Sequence, residues 1–245
     1  MIKIENLSKK FNDNLVLDDI SLNIKKGEIH FIIGTSGTGK TVLVKHIVGL
    51  LKPDSGKISF ENVNITKLKE KEMKKIRKKI TYIFQHSTLF DNLTLYENIE
   101  LPLIKGKHKS VTHTKAEVEK YLKLVNIEEY KSKYPYEIGE SIQKRTAIAR
   151  GLAMNPEYII YDEPTTGLTY ADARNIDNLI FDMSRETNVT AIVISHDLKS
   201  IFSIADRITM LYKGKILLDG TISDFKNSKN EIVQQFINAR ADGPI

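Results

Sequence analysis

Cysteine is absent from the 245-residue chain, which excludes a disulfide framework and any thiolate-ligated metal site. That absence agrees with a cytoplasmic address. Long apolar runs are missing too: none approaches the roughly 18 residues that a membrane-spanning helix needs. The opening Met1-Ile2-Lys3-Ile4-Glu5 carries no hydrophobic signal region. The expectation is a chain that works at a membrane only through a partner. Low-complexity tracts and internal repeats do not occur. Nor is there an excess of acid: 37 Lys and Arg against 31 Asp and Glu leave a net charge of +6. A basic balance suits nucleic acid or an anionic lipid surface. Here the lysines are spread along the chain, and a lysine-rich proteome accounts for them equally well. With 41% hydrophobic and 28% charged residues, the chain has the composition of one large globular domain, or of a core with a subdomain.

The stretch around which the rest is organised is Gly34-Thr35-Ser36-Gly37-Thr38-Gly39-Lys40-Thr41. It fits G-x-x-x-x-G-K-[ST], the P-loop pattern. The β-prone run 28–33 precedes it, and a helical pattern over 42–50 follows, with Gly49 near its end. Glycines let backbone N–H groups converge on an anion, and a helix N-terminus adds partial positive charge. Lys40 can reach the β- and γ-phosphates of a nucleotide, and the Thr41 hydroxyl can ligate Mg²⁺.

The remaining pattern supplies a sheet and helices. Strands are expected over 2–7 and 15–24, with a turn at Asn12-Asp13-Asn14 and Phe11 just before it. An aromatic at that position either stacks on a base or belongs to the core. Residues 57–60 alternate as a strand. Residues 67–79 form a lysine-rich amphipathic helix with Leu68, Met73 and Ile76 on one face. The strand 80–84 ends at Gln85, where open α/β sheets keep their ligands. Helices are expected over 95–104, 114–125 and 141–154, with a polar basic loop over 105–113.

The apolar strand 158–161 runs into Asp162 and Glu163. Paired acids after a strand are either a helix N-cap region or, opposite a P-loop, a Mg²⁺ partner followed by a group that activates water. The long interval between Lys40 and Asp162 leaves room for an inserted helical subdomain. A helix over 170–186 and a strand over 190–194 lead to Ser195-His196-Asp197. His196 is the histidine placed to sense a γ-phosphate. His30, His46, His86, His108 and His113 have no paired spacing for metal and read as structural or solvated. A hairpin over 208–218, a short helix over 232–237 and a flexible tail over 239–245 close the chain.

Together, Phe11, Gly34 to Thr41, Gln85, Tyr161 to Pro164 and Ser195 to Asp197 resemble an ABC transporter ATPase subunit over nearly the whole chain. The resemblance implies an α/β fold: a RecA-like P-loop NTPase core, an antiparallel β lobe and a helical subdomain at about 86–155. It implies ATP and Mg²⁺ as ligands. Phe11 becomes the adenine-stacking aromatic and residues 34–41 the phosphate loop. Gln85, Thr41 and Asp162 become metal-side residues, Gln85 also linking the nucleotide to a transmembrane partner. Glu163 becomes the catalytic base and His196 the switch histidine. A head-to-tail homodimer, an integral permease and a peripheral position on the cytoplasmic face of the inner membrane follow, with no nucleic-acid partner. The segments from Phe90 to Ile99 and from Val233 to Pro244 are similar to the ATPase of Mce-type phospholipid transporters. That narrower likeness implies a periplasmic Mce lipid-binding protein and a STAS-type subunit. It divides the chain into an ATPase domain, 1–228, and a C-terminal helix and tail, 229–245, that contacts another subunit.

Two departures stand out. The family's Ser-Gly-Gly signature is replaced by Gly139-Glu140-Ser141, and Thr169 stands where an Asp is usual. Both segments serve the ATP of the opposite subunit. A carboxylate at 140 would repel its γ-phosphate unless it turns away or Lys144 neutralises it; otherwise hydrolysis is slow.

Overall fold

The computed structural model describes residues 1–106 and 111–244. In chain order, β1 (Ile2–Phe11) and β2 (Asn14–Ile24) form a hairpin, and β3 (Ile29–Ile33) leads through the glycine loop to α1 (Lys40–Ile47). Next come β4 (Ser55–Phe60), β5 (Val63–Asn64), α2 (Glu70–Arg77) and β6 (Ile80–Ile83). Three helices follow: α3 (Leu95–Gly106), α4 (Val111–Leu124) and α5 (Glu140–Leu152). The chain then alternates β7 (Tyr158–Asp162), α6 (Tyr170–Thr187), β8 (Thr190–Ile194) and α7 (Leu198–Ile204). It ends with β9 (Arg207–Tyr212), β10 (Lys215–Gly220), α8 (Ile222–Lys226) and α9 (Glu231–Ile237).

The strands make two sheets. An antiparallel sheet has the order β2-β1-β4-β5, and a mostly parallel one has the order β10-β9-β3-β8-β7-β6. Every residue of β3 and β8 is buried, as expected for central parallel strands covered on both faces. One face packs against α1 and the antiparallel lobe through Ile32, Leu43, Val44, Ile160 and Ile192. The other packs against α5, α6 and α7 through Phe31, Ile148, Ile176, Ile180 and Ile201. The helices α3, α4 and α5 share a smaller core of Leu95, Ile99, Val118, Leu122 and Ala149. Because α5 also carries Ile148 and Leu152 in the sheet-side core, it ties that helical block to the sheet.

An ion network pins the two sheets together at the edge away from the glycine loop. Lys79 lies 2.9 Å from both Glu61 and Glu157, and Lys26 lies 2.9 Å from Glu157. Glu61 and then Glu157 raise Lys79 to about 12. Lys79 and then Lys26 lower Glu157 to about 2. Glu157 therefore stabilises the fold above its unfolded value near 4.5, and that contribution is lost as pH falls toward 2. These side chains are 30–47% exposed, so solvent screens the network. Glu157→Gln is expected to cost about 1 kcal/mol at pH 7. Thermal melts should show the gap to the parental chain closing between pH 4.5 and 2.

The structure amends several expectations. Residues 105–106 end α3 and 111–113 begin α4, so the expected basic loop is helical at both ends; its positions 107–110 lie outside the described residues. The tail is fastened at its start, where Arg240 N–H donates to Gln235 O at 3.1 Å and the Gln235 side chain returns a bond to Arg240 O at 3.3 Å, while residues 241–244 are exposed.

Candidate phosphate-binding and hydrolysis site

Parallel register brings the expected residues to one rim. Ile32 pairs with Ile194, Ile194 with Asp162, and Tyr161 with Ile83. Gly34, Ser195, Glu163 and Gln85 therefore leave neighbouring strands at the same carboxyl edge.

The glycine loop is built to cradle an anion. Gly34 has φ +143°, and a Cβ there would fall 2.3 Å from Leu211 O. Gly37 has φ +78°, and a Cβ there would meet nothing within 4 Å, so the crown of the loop opens on free space. Gly39, at the start of α1, offers no side-chain cap, leaving the first amides of the helix and its dipole facing the loop. Lys40 folds back over this space, donating to Gly34 O at 2.8 Å and Thr35 O at 2.9 Å. Burial pulls its ammonium below the usual lysine range, against the opposing attraction of Glu163 and Asp162. Thr38 Oγ1 braces the turn by donating to Thr35 O at 2.9 Å.

Asp162 closes β7. Its Oδ2 accepts from the Tyr82 hydroxyl at 2.7 Å. Burial raises the Asp162 carboxyl, with Tyr82 acting against that shift. Among the described residues no three His, Asp or Glu side chains cluster into a self-sufficient metal site. Thr41, Gln85 and Asp162 are instead hard oxygen donors, few in number, which suits Mg²⁺ completed by phosphates and water. A desolvated carboxylate at this place also gains from a cation.

Glu163 leaves the strand with φ +52°, a left-handed conformation uncommon for a non-glycine residue and concentrated at functional sites. Its N–H bonds Ile194 O at 2.9 Å, which fastens it to β8. Its Oε2 accepts from Thr166 Oγ1 at 3.0 Å and meets His196 Nδ1 at 2.9 Å. The acid and the histidine, 33 positions apart in sequence, are thus in direct contact. Gln85 is exposed just beyond β6. Phe11 ends β1, 42% exposed, with Lys9 Nζ 5.5 Å from its ring centroid.

The substituted signature is tied down within its own chain. Glu140 begins α5, and its Oε1 lies 3.5 Å from Lys144 Nζ. Lys144 also donates to Thr166 O at 2.5 Å. The Glu140 carboxylate packs over Gly167, where a Cβ would lie 2.9 Å from its Oε2. Of the arrangements open to Glu140, this is neutralisation by Lys144. The Ser141 hydroxyl, which could serve a neighbour's phosphate, donates to Asp172 at 2.8 Å. Thr169 caps α6 by accepting from Asp172 N. Lys144 is 6% exposed and Glu140 48%. Removing the acid therefore leaves a largely buried cation with only the Thr166 carbonyl as partner, at a cost reduced by the exposure of Glu140. Glu140→Gly is expected to destabilise the chain by about 1–2 kcal/mol, seen as a lower Tm.

Tyr82 and Thr166 escaped the sequence reading. A buried tyrosine needs a partner for its hydroxyl, so Tyr82 inside a core strand was a signal. Thr166 carried none, because its role depends on the turn that Glu163 makes.

Comparison with known proteins agrees with this geometry. The family model described as "ABC transporter" matches residues 17–166. The intermembrane phospholipid transport system ATP-binding protein MlaF of Haemophilus influenzae is 33% identical over 245 residues, covering 100% of this chain and 93% of that protein. The methionine import ATP-binding protein MetN of the same species is 35% identical over 244 residues, covering 98% of this chain and 70% of MetN. A dimeric ATP-binding cassette in a post-hydrolysis state with ADP and Pi superposes with a TM-score of 0.83 at 32% identity, covering 91% of this chain and 99% of that one. CbiO1 from Clostridium perfringens, part of the ABC transporter complex cbiONQ, gives 0.86 at 31% identity over 98% of this chain and 95% of its own. With a family match running through both nucleotide motifs and relatives alike over its whole length, the chain belongs to the ATP-binding subunits of ABC transporters, ATP hydrolases that dimerise and pair with membrane permeases.

Proposed function

We propose that this ATPase subunit powers phospholipid movement through an Mce-type transporter at the inner membrane. In this reading Lys40 and the 34–41 amides hold the ATP phosphates, while Phe11 offers a ring face to the adenine. Thr41, Asp162 and Gln85 would hold Mg²⁺, which when bound neutralises phosphate charge and fixes phosphate geometry. Glu163 takes the proton of the attacking water, and His196 and Thr166 hold Glu163 in place.

The permease contact is assigned to a cleft of about 590 Å³ beside Gln85, walled by Phe84, Phe90, Pro102, Arg150 and Met154. Phe84, Phe90 and Met154 are 43–48% exposed, an apolar rim suited to an amphipathic permease helix. Occupancy there would act on Gln85 through Phe84, its immediate neighbour.

The observation that carries the lipid reading is the C-terminal segment. The stretch that bears the narrower likeness is built into the fold: α9 buries Val233 and Gln235, and residues beyond it hook back onto Gln235. The likeness to MlaF over the full chain supports the same reading. A second reading, amino-acid import, has the support of 35% identity to MetN. Reconstitution of the chain with its co-purified membrane partners separates the two. The lipid reading expects hydrolysis to depend on an Mce partner and labelled phospholipid to move between membranes. Stimulation by methionine alone, with no lipid moved, would establish the importer reading.

A further inference from the structure

Helix α2 and its flanks carry a dense run of lysine away from the phosphate loop. At about 100° of helix per residue, Met73 and Ile76 fall on one side of α2, and Lys71, Lys74, Lys75 and Lys78 fall on the other. The structure shows that division. Met73 is buried, Ile76 packs on the core shared with α1, and all four lysines are exposed. Lys67 lies just before the helix. With Lys52, also exposed, it stands on the rim of a polar hollow of about 500 Å³.

Nothing within the chain neutralises this stripe. Among the described residues no ion pair reaches Lys52, Lys67, Lys71, Lys74, Lys75 or Lys78, and the neighbouring acids are engaged elsewhere. Glu70 pairs with Arg77, and Glu72 Oε2 accepts from Lys69 N at 2.9 Å. Glu61 is held by Lys79 at 2.9 Å and Asp54 by Lys9 at 2.8 Å. Lysines three and four positions apart on a helix repel one another. The helix dipole favours cations in the last turn, but it offers nothing to Lys71 in the first turn, or to Lys67 and Lys52 off the helix.

Position narrows the partner. Arg77 Nε donates to Val48 O at 3.0 Å and its Nη2 to Gly49 O at 3.1 Å. These bonds lay α2 across the end of α1 away from the phosphate loop. The 8 residues of α1 put about 12 Å between the two. At its far end the stripe reaches the cleft assigned to the permease, which Lys78 lines together with Phe84 and Phe90. A surface continuous with a permease contact faces the bilayer around that permease.

The residue types agree. The one arginine of α2 is turned inward onto Val48, Gly49 and Glu70, and no aromatic side chain lies between Lys67 and Lys79. Single-stranded nucleic acid is held by basic grooves interleaved with stacking aromatics. Clustered lysine point charges without aromatics suit a layer of anionic headgroups.

We propose that the lysine face of α2, with Lys67 and Lys52 beside it, docks on the anionic phospholipid headgroups around the permease. Its orientation rests on the permease reading of the cleft; its attraction to anionic lipid does not.

The test uses the full chain and vesicles, with no permease present. Co-sedimentation compares phosphatidylcholine vesicles with vesicles that hold about 30% phosphatidylglycerol. The chain should bind the anionic vesicles alone, and raising salt from about 0.1 to 0.5 M should weaken that binding at least tenfold. A variant with Lys67→Gln, Lys71→Gln, Lys74→Gln and Lys75→Gln spares the cleft wall at Lys78. Its vesicle affinity should fall about a hundredfold or more, at roughly fivefold per lysine, while its ATPase rate stays within about twofold of parental. If that variant does not fold, Lys71→Gln with Lys75→Gln carries the test, with an expected loss of about twenty-fivefold. Equal binding to both vesicle types, binding to neither, or parental binding by the lysine variant would overturn the proposal. So would full displacement by polyuridylate, or by inorganic phosphate, at a phosphate concentration below that of the lipid. Phe90→Asp, in the cleft, separates this proposal from the permease reading. It should release co-purified membrane partners and leave vesicle binding parental. Partners that stay bound to Phe90→Asp, with vesicle binding still governed by the lysines, would support the lipid face and overturn the cleft assignment instead.

Discussion

Glu163→Gln is expected to cut ATP hydrolysis at least a hundredfold while leaving ATP affinity within about twofold. The amide keeps the shape of the carboxylate and an oxygen for Thr166 and His196 to meet. It cannot take a proton from water. The left-handed backbone of Glu163 is held by its bond to Ile194, so the substitution should not move the turn. The phosphate contacts assigned to the loop between Gly34 and Thr41 do not involve Glu163 and should remain. Bound ATP then persists, and the ATP-clasped dimer should accumulate. Size-exclusion chromatography with ATP and Mg²⁺, beside a phosphate-release assay, reads both effects. Parental hydrolysis in the variant would remove Glu163 from the chemistry.

Lys40→Ala should weaken ATP binding by about a hundredfold or more. Its ammonium donates only to backbone carbonyls, Gly34 O and Thr35 O, both replaceable by phosphate oxygens that bear full charge. Charge-assisted bonds of this kind are about twice as strong as neutral ones, and truncating one partner of a desolvated pair costs about 2–5 kcal/mol. No other basic residue lies between Gly34 and Thr41 to compensate. Calorimetric titration with a non-hydrolysed ATP analogue checks it; a Kd within threefold of the parental value would contradict the assignment.

The site was legible because its parts sit at strand ends, and strand ends show in sequence. Five consecutive buried residues in β3 and again in β8 read as apolar runs, and the residues after them stood out. Their contact was not legible. The meeting of Glu163 with His196 depends on the register of β7 against β8, which no local pattern encodes. Lys144 beside Glu140 was foreseeable from its i, i+4 spacing on a helix. Ser141 beside Asp172 was not, since 31 residues separate them and only the packing of α5 on α6 joins them. Of the short helices absent from the sequence reading, α8, of 5 residues, is too short to show a period, whereas Leu198, Ile201 and Phe202 give the 7-residue α7 an i, i+3, i+4 pattern. The expected loop over 105–113 failed at its ends for a different reason. Lys, His and Ser make a polar stretch look irregular, yet helices extend into it from both sides.

The central claim is that this chain hydrolyses ATP at a centre completed by a second copy. The most direct measurement is Mg²⁺-dependent phosphate release by the purified full chain at saturating ATP over a wide range of protein concentration. The account predicts a rate per chain that rises with concentration and levels off as dimers fill, because the segments around Glu140 and Thr169 are proposed to serve the opposite subunit. A rate per chain that is constant from the most dilute to the most concentrated sample, with the chain monomeric throughout, would contradict it.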